Sequence, residues 1–297
     1  MPTLEDLSRH IAVAEDLQSV VRTMKTISAV AIRRHELAER AMSHYRETVE
    51  LGLQVALRSV DAAAAAARQP AGVRTAVVLV GSEIGLCGAF NDRLVAFALE
   101  KLAKSRVDSG KRLVLTVGAR VNASWRAEAE PPAAHKEAPA TVEALSRTVG
   151  AVLTCLDQWR ESEHVERLVL FHQRPAEGGV ALPTHARLLP IDPAWFDAMR
   201  RRAWLSRRLP VPAGPPHALL RQLIRQLVFA RVFTAIIQSR TAEHSERLAG
   251  MQAADRSIAE KLDDLRAAHR IRRQDVITSE LLDIVSGYEV VAGETRN

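Results

Sequence analysis

The stretch Leu4–Ala31, LEDLSRHIAVAEDLQSVVRTMKTISAVA, decides the fold of this chain. Its apolar residues recur at steps of three and four, a period typical of a coiled-coil seam. Residues 3–60 contain no proline, so the pattern predicts one helix about 80 Å long. Thr3 and Asp6 have the spacing of a capping box at its start. The expected seam consists of Leu4, Leu7, Ile11, Ala14, Leu17, Val21, Met24, Ile27 and Ala31.

A second proline-free stretch, residues 217–291, predicts another long helix at the other end of the chain. Leu220, Leu227 and Ile236 belong to its broad apolar face, which narrows to a seam further on. Neither helix can bury its apolar stripe against a domain much shorter than itself. We therefore expect the two helices to pack on each other, antiparallel, because a separate domain lies between them in the sequence.

The middle of the chain predicts a small α/β sheet. Short apolar runs ended by glycine or flanked by polar residues, at Thr75–Gly81, Leu113–Gly118 and Leu168–Phe171, are typical of buried parallel strands. Helical stretches around Asn91–Ser105 and Thr141–Glu161 separate them. Ala186–Ile191 is expected as an edge strand because of Pro190, and residues 69–72 are expected as a linker. The fold class is α/β: a long antiparallel coiled coil of the terminal helices plus a small Rossmann-like domain.

Composition leaves the class of partner open. The net charge is +6, which suits nucleic acid, an acidic membrane surface or an acidic protein. Two cysteines, Cys87 and Cys155, form no disulfide framework and no metal-binding pattern. The N-terminus lacks a signal-peptide pattern, and no run approaches the roughly 20 apolar residues of a membrane span. Membrane association, if any, is expected to be peripheral.

The turn Gly85-Leu86-Cys87-Gly88-Ala89-Phe90-Asn91 is the one motif that could bind phosphate on free backbone N–H groups. The Walker pattern and the pattern GxGxxG are both absent. A tight turn whose following helix is capped by Asn91 or Asp92 is the favoured interpretation. No base accompanies Cys87 as a nucleophile, and the histidines show no metal-binding spacing. We predict no catalytic residues, no cofactor and no metal.

Arginines cluster in two places. Five lie in an expected loop, at Arg200, Arg201, Arg202, Arg207 and Arg208. Four lie on the last helix, at Arg266, Arg270, Arg272 and Arg273. Aromatic residues between the arginines, which would stack on bases, are missing, so a solvated or protein-facing patch is favoured over nucleic-acid binding.

Three segments together resemble the gamma subunit of F-type ATP synthases. They are IAVAEDLQSVVRTMKTISAVAIRR (residues 11–34), the turn GLCGAFN (residues 85–91), and AEHSERLAGMQAADRS with ITSELLDIVSG near the end of the chain. Their order and spacing match, whereas residues 120–216 match only loosely. The chain departs from the family at Glu83-Ile84, where Asp-Arg is usual. It also departs at MRRRAWLSRRLPVPAGPP before the second helix, where acidic and aromatic residues are frequent.

The resemblance implies a rotor shaft. It implies that the paired helices stand on the axis of a ring of alternating alpha and beta subunits, and that the α/β domain is a foot on the membrane c-ring. Ion flow through the membrane ring then drives conformational change in the catalytic ring. Implied partners are the alpha, beta, epsilon and delta subunits and the c-ring, with one copy per complex and no nucleic acid. The implied location is peripheral, on the cytoplasmic face of the bacterial plasma membrane.

The resemblance also implies contact residues and domain limits. Residues carried over by position for contact with the catalytic ring are Met24, Lys25, Arg273, Gln274, Thr278, Glu280, Ile284 and Val285, with Val290 and Val291 at the shaft tip. Gly85, Gly88 and Asn91 are structural turn residues. The expected domains are residues 1–68, 73–212 and 215–292, the first and last forming one structural unit.

Two other functions stay open on the sequence alone. One is a stand-alone α/β enzyme with helical arms, which would be stabilised by its ligand. The other is a basic coiled-coil adaptor, whose binding to nucleic acid would depend steeply on salt.

Overall fold

The structure is a computed structural model that describes residues 2–58, 74–105, 107–176, 179–204, 207–208, 210–211 and 214–294, the last nine as backbone only. The expected linker at residues 69–72 lies outside the described residues. The chain divides into two compact units. The first consists of Met1–Ile27 and Leu248–Asn297, and the second of Ser28–Arg247. None of the described helices is long and apolar enough to cross a membrane.

Twelve elements follow one another along the described chain. The helices are α1 (Leu4–Arg58), α2 (Phe90–Lys104), α3 (Ala119–Glu128), α4 (Leu145–Ser162), α5 (Pro193–Arg201) and α6 (Pro216–Glu294). The strands are β1 (Arg74–Val80), β2 (Arg112–Val117), β3 (Ala134–Lys136), β4 (Val165–Pro175) and β5 (Ala181–Leu189). A single turn of 3₁₀ helix, Ser109–Lys111, precedes β2.

The five strands form one sheet in the order β3-β2-β1-β4-β5. All neighbours are parallel except β4 and β5, which are antiparallel. The predicted α/β sheet and its edge strand are confirmed, but the predicted bounds of that strand, Ala186–Ile191, are wrong: it runs from Ala181 to Leu189, so Pro190 lies just outside it. The sequence did not reveal β3, because its three residues lie between Pro132 and Pro139 and are too few to show a strand pattern. Also missed were the short helices α3 and α5, so Arg200 and Arg201 lie in a helix and not in a loop.

Strand β1 contributes to two separate cores. Ala76, Val78 and Val80 face one side, where α4 and the first part of α6 cover the sheet. Val77 and Leu79 face the other side, against α2 and α3. Successive side chains of a strand point to opposite faces, and burial on both faces explains why β1 is continuously apolar. A third cluster joins α1 to α6 within the second unit through Leu53, Leu57, Leu220 and Leu227.

The first unit is a pair of helix segments that pack antiparallel. Thr3 and Asp6 form the predicted capping box, with Thr3 Oγ1 accepting from Asp6 N at 3.1 Å and Asp6 Oδ2 accepting from Thr3 N at 3.1 Å. Ser8 lies opposite His269, 3.2 Å apart, while Lys25 lies opposite Asp255. Residue numbers thus rise on α1 as they fall on α6, which is the expected direction.

The seam on α1 differs from the predicted one. Leu7 and Val21 are buried as expected, but Leu17 and Ile27 are each 53 % exposed. Between Leu17 and Ile27, the polar residues that face inward at seam spacing are Gln18 and Lys25, both half-buried. A strict seven-residue repeat places these polar residues in the seam. The predicted seam was instead chosen by hydrophobicity, so its positions moved away from the inward face of the helix. The prediction was therefore wrong at Leu17 and Ile27.

Candidate functional site

The turn that follows β1 is held by a side chain from the start of α2. Asn91 Oδ1 accepts from the backbone N–H of Ser82 at 3.0 Å, and Asn91 Nδ2 donates to Ser82 Oγ at 2.8 Å. The prediction that Asn91 or Asp92 caps α2 is wrong, because the N-cap residue is Ala89 and no side chain caps the helix. Asn91 lies inside the first turn and braces the strand instead. Gly88 has φ +57°, a conformation that residues with a side chain rarely adopt.

A buried arginine on α6 reaches the same turn. Arg247 Nη2 donates to the carbonyl oxygens of Ile84 at 3.0 Å and Gly85 at 3.1 Å. Glu243, completely buried, accepts from Arg247 at 2.5 Å and also pairs with Arg240. Two of the segments quoted for the family resemblance, around residues 85 and 247, therefore touch each other.

Two histidines complete this buried cluster. The rings of His35 on α1 and His244 on α6 are 5.5 Å apart. Burial lowers the pKa of His244 to about 3, and the nearby charges of Arg240 and Arg247 act in the same direction. Burial and the charge of Arg240 lower the pKa of His35 to about 4. Both rings are neutral at physiological pH, so the only negative charge in the cluster is that of Glu243.

The chemistry of the turn favours a structural role. Cys87 lies in it, but burial raises the pKa of its thiol, which disfavours the nucleophilic thiolate. Both cysteines are free and buried. Across the described residues, no three His, Cys, Asp or Glu side chains are grouped so that they could hold a metal ion. The cluster can join α6 to the sheet, and its geometry offers no acid–base pair for catalysis.

The paired helices of the first unit are joined by charges. Lys25 Nζ donates to Asp255 Oδ2 at 2.7 Å, and this hydrogen bond lowers the pKa of Asp255. Arg22 Nε lies 3.6 Å from Asp255 Oδ1. Further along, Arg266 donates to Glu15 at 2.6 Å. These pairs are spaced along the seam and fix which residue of α1 faces which residue of α6.

The predicted ring-contact residues fall into two groups that the structure does not bring together. Met24 and Lys25 are half-buried on α1, opposite the part of α6 near residue 255. The others lie near the end of α6, where Thr278 Oγ1 donates to the carbonyl oxygen of Gln274. All of these are exposed: Arg273, Gln274, Thr278, Glu280, Ile284 and Val285. The side chains of Val290 and Val291 lie outside the described residues.

The sequence analysis did not predict that Glu243, Arg247 and His35 lie in one buried cluster. The spacing of Glu243 and Arg247, four residues apart on one helix, indicates an ion pair. Their complete burial gives no signal in the sequence, because it depends on the turn that packs over them. His35 comes from more than 200 residues away, and only the antiparallel pairing brings it near His244.

Comparisons with known proteins agree with this geometry. A family model described as ATP synthase matches residues 3–291. An ATP synthase gamma chain of Jannaschia sp. is 26 % identical over 98 % of this chain and 100 % of its own length. One from Syntrophus aciditrophicus is 26 % identical over 98 % and 99 %. A chain of the Euglena gracilis mitochondrial ATP synthase superposes with a TM-score of 0.65 at 12 % identity, covering 99 % of this chain and 96 % of its own; this likeness shows the fold alone.

Proposed function

Because this chain belongs to the ATP synthase family as a gamma chain, we propose that it turns as the central rotor shaft of an F-type ion-translocating ATP synthase. Gamma chains are non-catalytic subunits of the central stalk. In this role the chain transmits torque between a membrane c-ring and a ring of alpha and beta subunits. The epsilon and delta subunits complete its set of partners. The relatives lend no support to a stand-alone enzyme or a nucleic-acid adaptor.

The exposed apolar end of α6 carries the proposal. Ser8 lies opposite His269 and α1 begins at Leu4, so α6 extends past the start of α1 from about Gln274 onward. In this extension Leu281, Leu282, Ile284 and Val285 are each more than half exposed. Apolar side chains crowded on a free helix end favour contact with another protein. An apolar collar in the catalytic ring would cover them and still allow rotation, because apolar contacts have no fixed direction.

Polar residues just below that end are proposed to set the resistance to rotation. Arg273 and Gln274 are exposed and lie level with the start of α1, so they are free to pair with loops of the beta subunits. Thr278 and Glu280 lie one turn further on. Lys25 and Met24 are proposed to contact the ring from α1. Such partly exposed contacts are worth on the order of 1 kcal/mol each, enough to slow rotation without stopping it.

The location and the division into domains follow from the same role. We place the chain peripherally on the cytoplasmic face of the bacterial plasma membrane, with residues 73–212 as the foot. Residues 1–68 and 215–292 form the shaft in this proposal. The sheet of the second unit is the part that meets the membrane ring.

A rotation measurement tests the shaft. The complex is purified with its alpha and beta subunits, with one copy of this chain expected per ring. Ser109→Cys, on the exposed 3₁₀ turn, gives a labelling site, because the native Cys87 and Cys155 are buried. With the ring fixed to a surface, a bead on the label is expected to turn in one direction when ATP is added. A complex that hydrolyses ATP while the bead stays still would contradict the proposal.

A double substitution tests the contact residues separately. Arg273→Ala with Gln274→Ala is expected to lower ATP turnover of the complex roughly tenfold, the equivalent of about 1.4 kcal/mol. The matched control is Gln252→Ala with Arg256→Ala, another exposed pair on α6. The control is expected to turn over normally. Normal turnover in both variants would show that Arg273 and Gln274 do not contact the ring. That result would not bear on the role of the chain as a shaft.

A further inference from the structure

Glu246 on α6 joins three elements of the second unit through one carboxylate oxygen. Its Oε1 accepts from the backbone N–H of Ala181, the first residue of β5, at 2.8 Å, and it also accepts from Arg93 in the first turn of α2. The side chain of Glu246 is only 11 % exposed. Hydrogen bonds to an ionised acceptor are roughly twice as strong as those between neutral groups. Glu246 therefore holds the start of β5 and the start of α2 at one point of α6.

The next residue along α6, Arg247, holds a different segment. Its guanidinium donates to the backbone carbonyl oxygens of Ile84 and Gly85 in the turn after β1. Neighbouring residues of an α-helix leave the axis about 100° apart and lie about 1.5 Å apart along it. Glu246 and Arg247 therefore attach α6 to two separate segments at almost the same level of the helix. We call these two attachments the α6 grip.

A small apolar cluster lies beside the α6 grip. Ala242, one turn before Glu246, is buried in it together with Cys87, Phe90 and Ala181. The first two of these partners belong to the turn after β1 and the start of α2, and Ala181 begins β5. The methyl side chain of Ala242 leaves room for these segments close to α6, so Glu246 reaches the backbone of Ala181 directly.

Two attachments restrain a helix in a way that one cannot. With a single attachment the helix can pivot, because the attached side chain turns about its own bonds. With two attachments that leave the helix in different directions at one level, a turn of the helix about its axis must stretch at least one of them. Apolar packing resists this motion less, because its contacts have no fixed direction. The α6 grip is therefore suited to a rotational load.

We propose that Glu246 is a positioning residue for torque transmission, which fixes, together with Arg247, the angle of α6 about its own axis relative to the sheet. The inference rests on the proposed role of the chain as a rotor shaft, in which a rotational load passes between the sheet and α6. Glu246 is the member of the grip that can be tested by removal. The side chain of Arg93 is 39 % exposed, so water can solvate it when Glu246 is replaced, and the chain should still fold.

Amide hydrogen exchange of the isolated full-length chain tests the attachment itself. The backbone N–H of Ala181 should exchange slowly in the unchanged chain, because Glu246 accepts from it. Glu246→Ala should speed this exchange on the order of tenfold, the effect of losing one hydrogen bond to a charged group. Glu246→Gln keeps an acceptor oxygen, so exchange at Ala181 should stay slow. Unchanged exchange in the Glu246→Ala variant would overturn the proposal.

Rotation of the assembled complex tests the effect on torque transmission. A bead on Ser109→Cys marks the foot, and the spread of its angle is recorded while the motor pauses between steps. The variance of this angle is inversely proportional to the torsional stiffness between the bead and the fixed ring. Glu246→Ala removes one of two charged attachments, so the variance should rise by up to about twofold. A variance equal to that of the unchanged complex would overturn the proposal.

A destabilised control separates the α6 grip from general loosening of the fold. Val152 on α4 is fully buried, and its side chain has no hydrogen-bonding group. Val152→Ala should lower stability through a cavity and leave both the exchange at Ala181 and the angular variance unchanged. Equal changes in Val152→Ala and Glu246→Ala would overturn the proposal, because reduced stability alone would explain them. A complex that hydrolyses ATP without turning the bead would instead contradict the rotor role itself.

Discussion

Arg247 donates to the carbonyl oxygens of both Ile84 and Gly85, so one side chain of α6 holds the turn after β1 from within the core. Glu243 keeps the guanidinium in place and shares its charge with Arg240. The long helix and the sheet are thereby coupled by directed, charged hydrogen bonds in addition to apolar packing. In a shaft that carries torque, such a joint resists sliding, which non-directional apolar contacts resist poorly.

Removing the charge of Glu243 should destabilise the chain strongly. Glu243→Gln leaves the buried guanidinium groups of Arg240 and Arg247 without their counter-charge. Breaking a buried ion pair from one side costs about 3–5 kcal/mol. Unfolding by urea should show a loss of this size in the free energy of unfolding. Glu260→Gln, at an exposed position on the same helix, is the control and should change it by less than about 0.5 kcal/mol.

Acidification should destabilise the chain through the buried histidines. The folded-state pKa values are about 4 for His35 and about 3 for His244, both below the unfolded value near 6.5. The unfolded state therefore binds more protons below pH 6.5, and stability falls as the pH falls from 6.5 toward 4. Each histidine should account for about 1.6 kcal/mol lost between pH 6.5 and pH 5.

The pH dependence is best isolated by comparing variants. His35→Gln and His244→Gln remove one titrating group each, so each variant's free energy of unfolding should fall less steeply over this range. Ser19→Gln, at an exposed position of α1, removes no titrating group and should leave the slope unchanged. A variant of His244 whose pH profile runs parallel to that of the unchanged chain would exclude the histidine as the source.

Sequence patterns predicted the elements whose periodicity is long and unbroken. The two terminal helices and the buried strands β1, β2 and β4 belong to this class, because they repeat one burial environment over many residues. The residues of the α1 seam were predicted less accurately than the helix itself. Val21 is inward, but Leu17 and Ile27 point outward, since the polar Gln18 and Lys25 take seam positions that hydrophobicity alone does not assign.

Tertiary contacts decided the features that the sequence could not predict. Asn91 looked like a helix cap because of its residue type, but Ser82 offers it a buried donor and acceptor instead. Strand β3 has only three residues, and its pairing with β2 defines it. His35, Glu243 and Arg247 lie together beside the turn only because residues far apart in the sequence make contact. No local sequence pattern therefore predicts this cluster.

Two glycines should respond in opposite directions to the same substitution. A Cβ at Gly118, where φ is +112°, would lie 2.6 Å from the carbonyl oxygen of Ser82, so Gly118→Ala should destabilise the chain by more than about 2 kcal/mol. Gly250 lies inside α6, and a Cβ there meets nothing within 4 Å. Gly250→Ala should stabilise the chain by about 0.5–1 kcal/mol. Thermal unfolding of the two variants checks both signs, and a stabilising Gly118→Ala would contradict the backbone conformation.

Reversing the pair Lys25 and Asp255 should separate the stability of the shaft from its contact with the catalytic ring. Lys25→Asp alone places two carboxylates opposite each other in the seam and should lower the melting temperature of the chain. Adding Asp255→Lys restores opposite charges and should recover it. If Lys25 also touches the ring, as proposed, the double variant presents the wrong charge there, so ATP turnover of the complex should stay reduced although the shaft is stable.

The pair Glu15 and Arg266 provides the control, because its side chains meet in the same helix pair at 2.6 Å and are about half exposed. Glu15→Arg with Arg266→Glu should recover both the melting temperature and the turnover, since neither residue is proposed to touch the ring. Normal turnover in the Lys25→Asp, Asp255→Lys variant would show that Lys25 serves only the register between α1 and α6. The ring contact would then rest on the end of α6 alone.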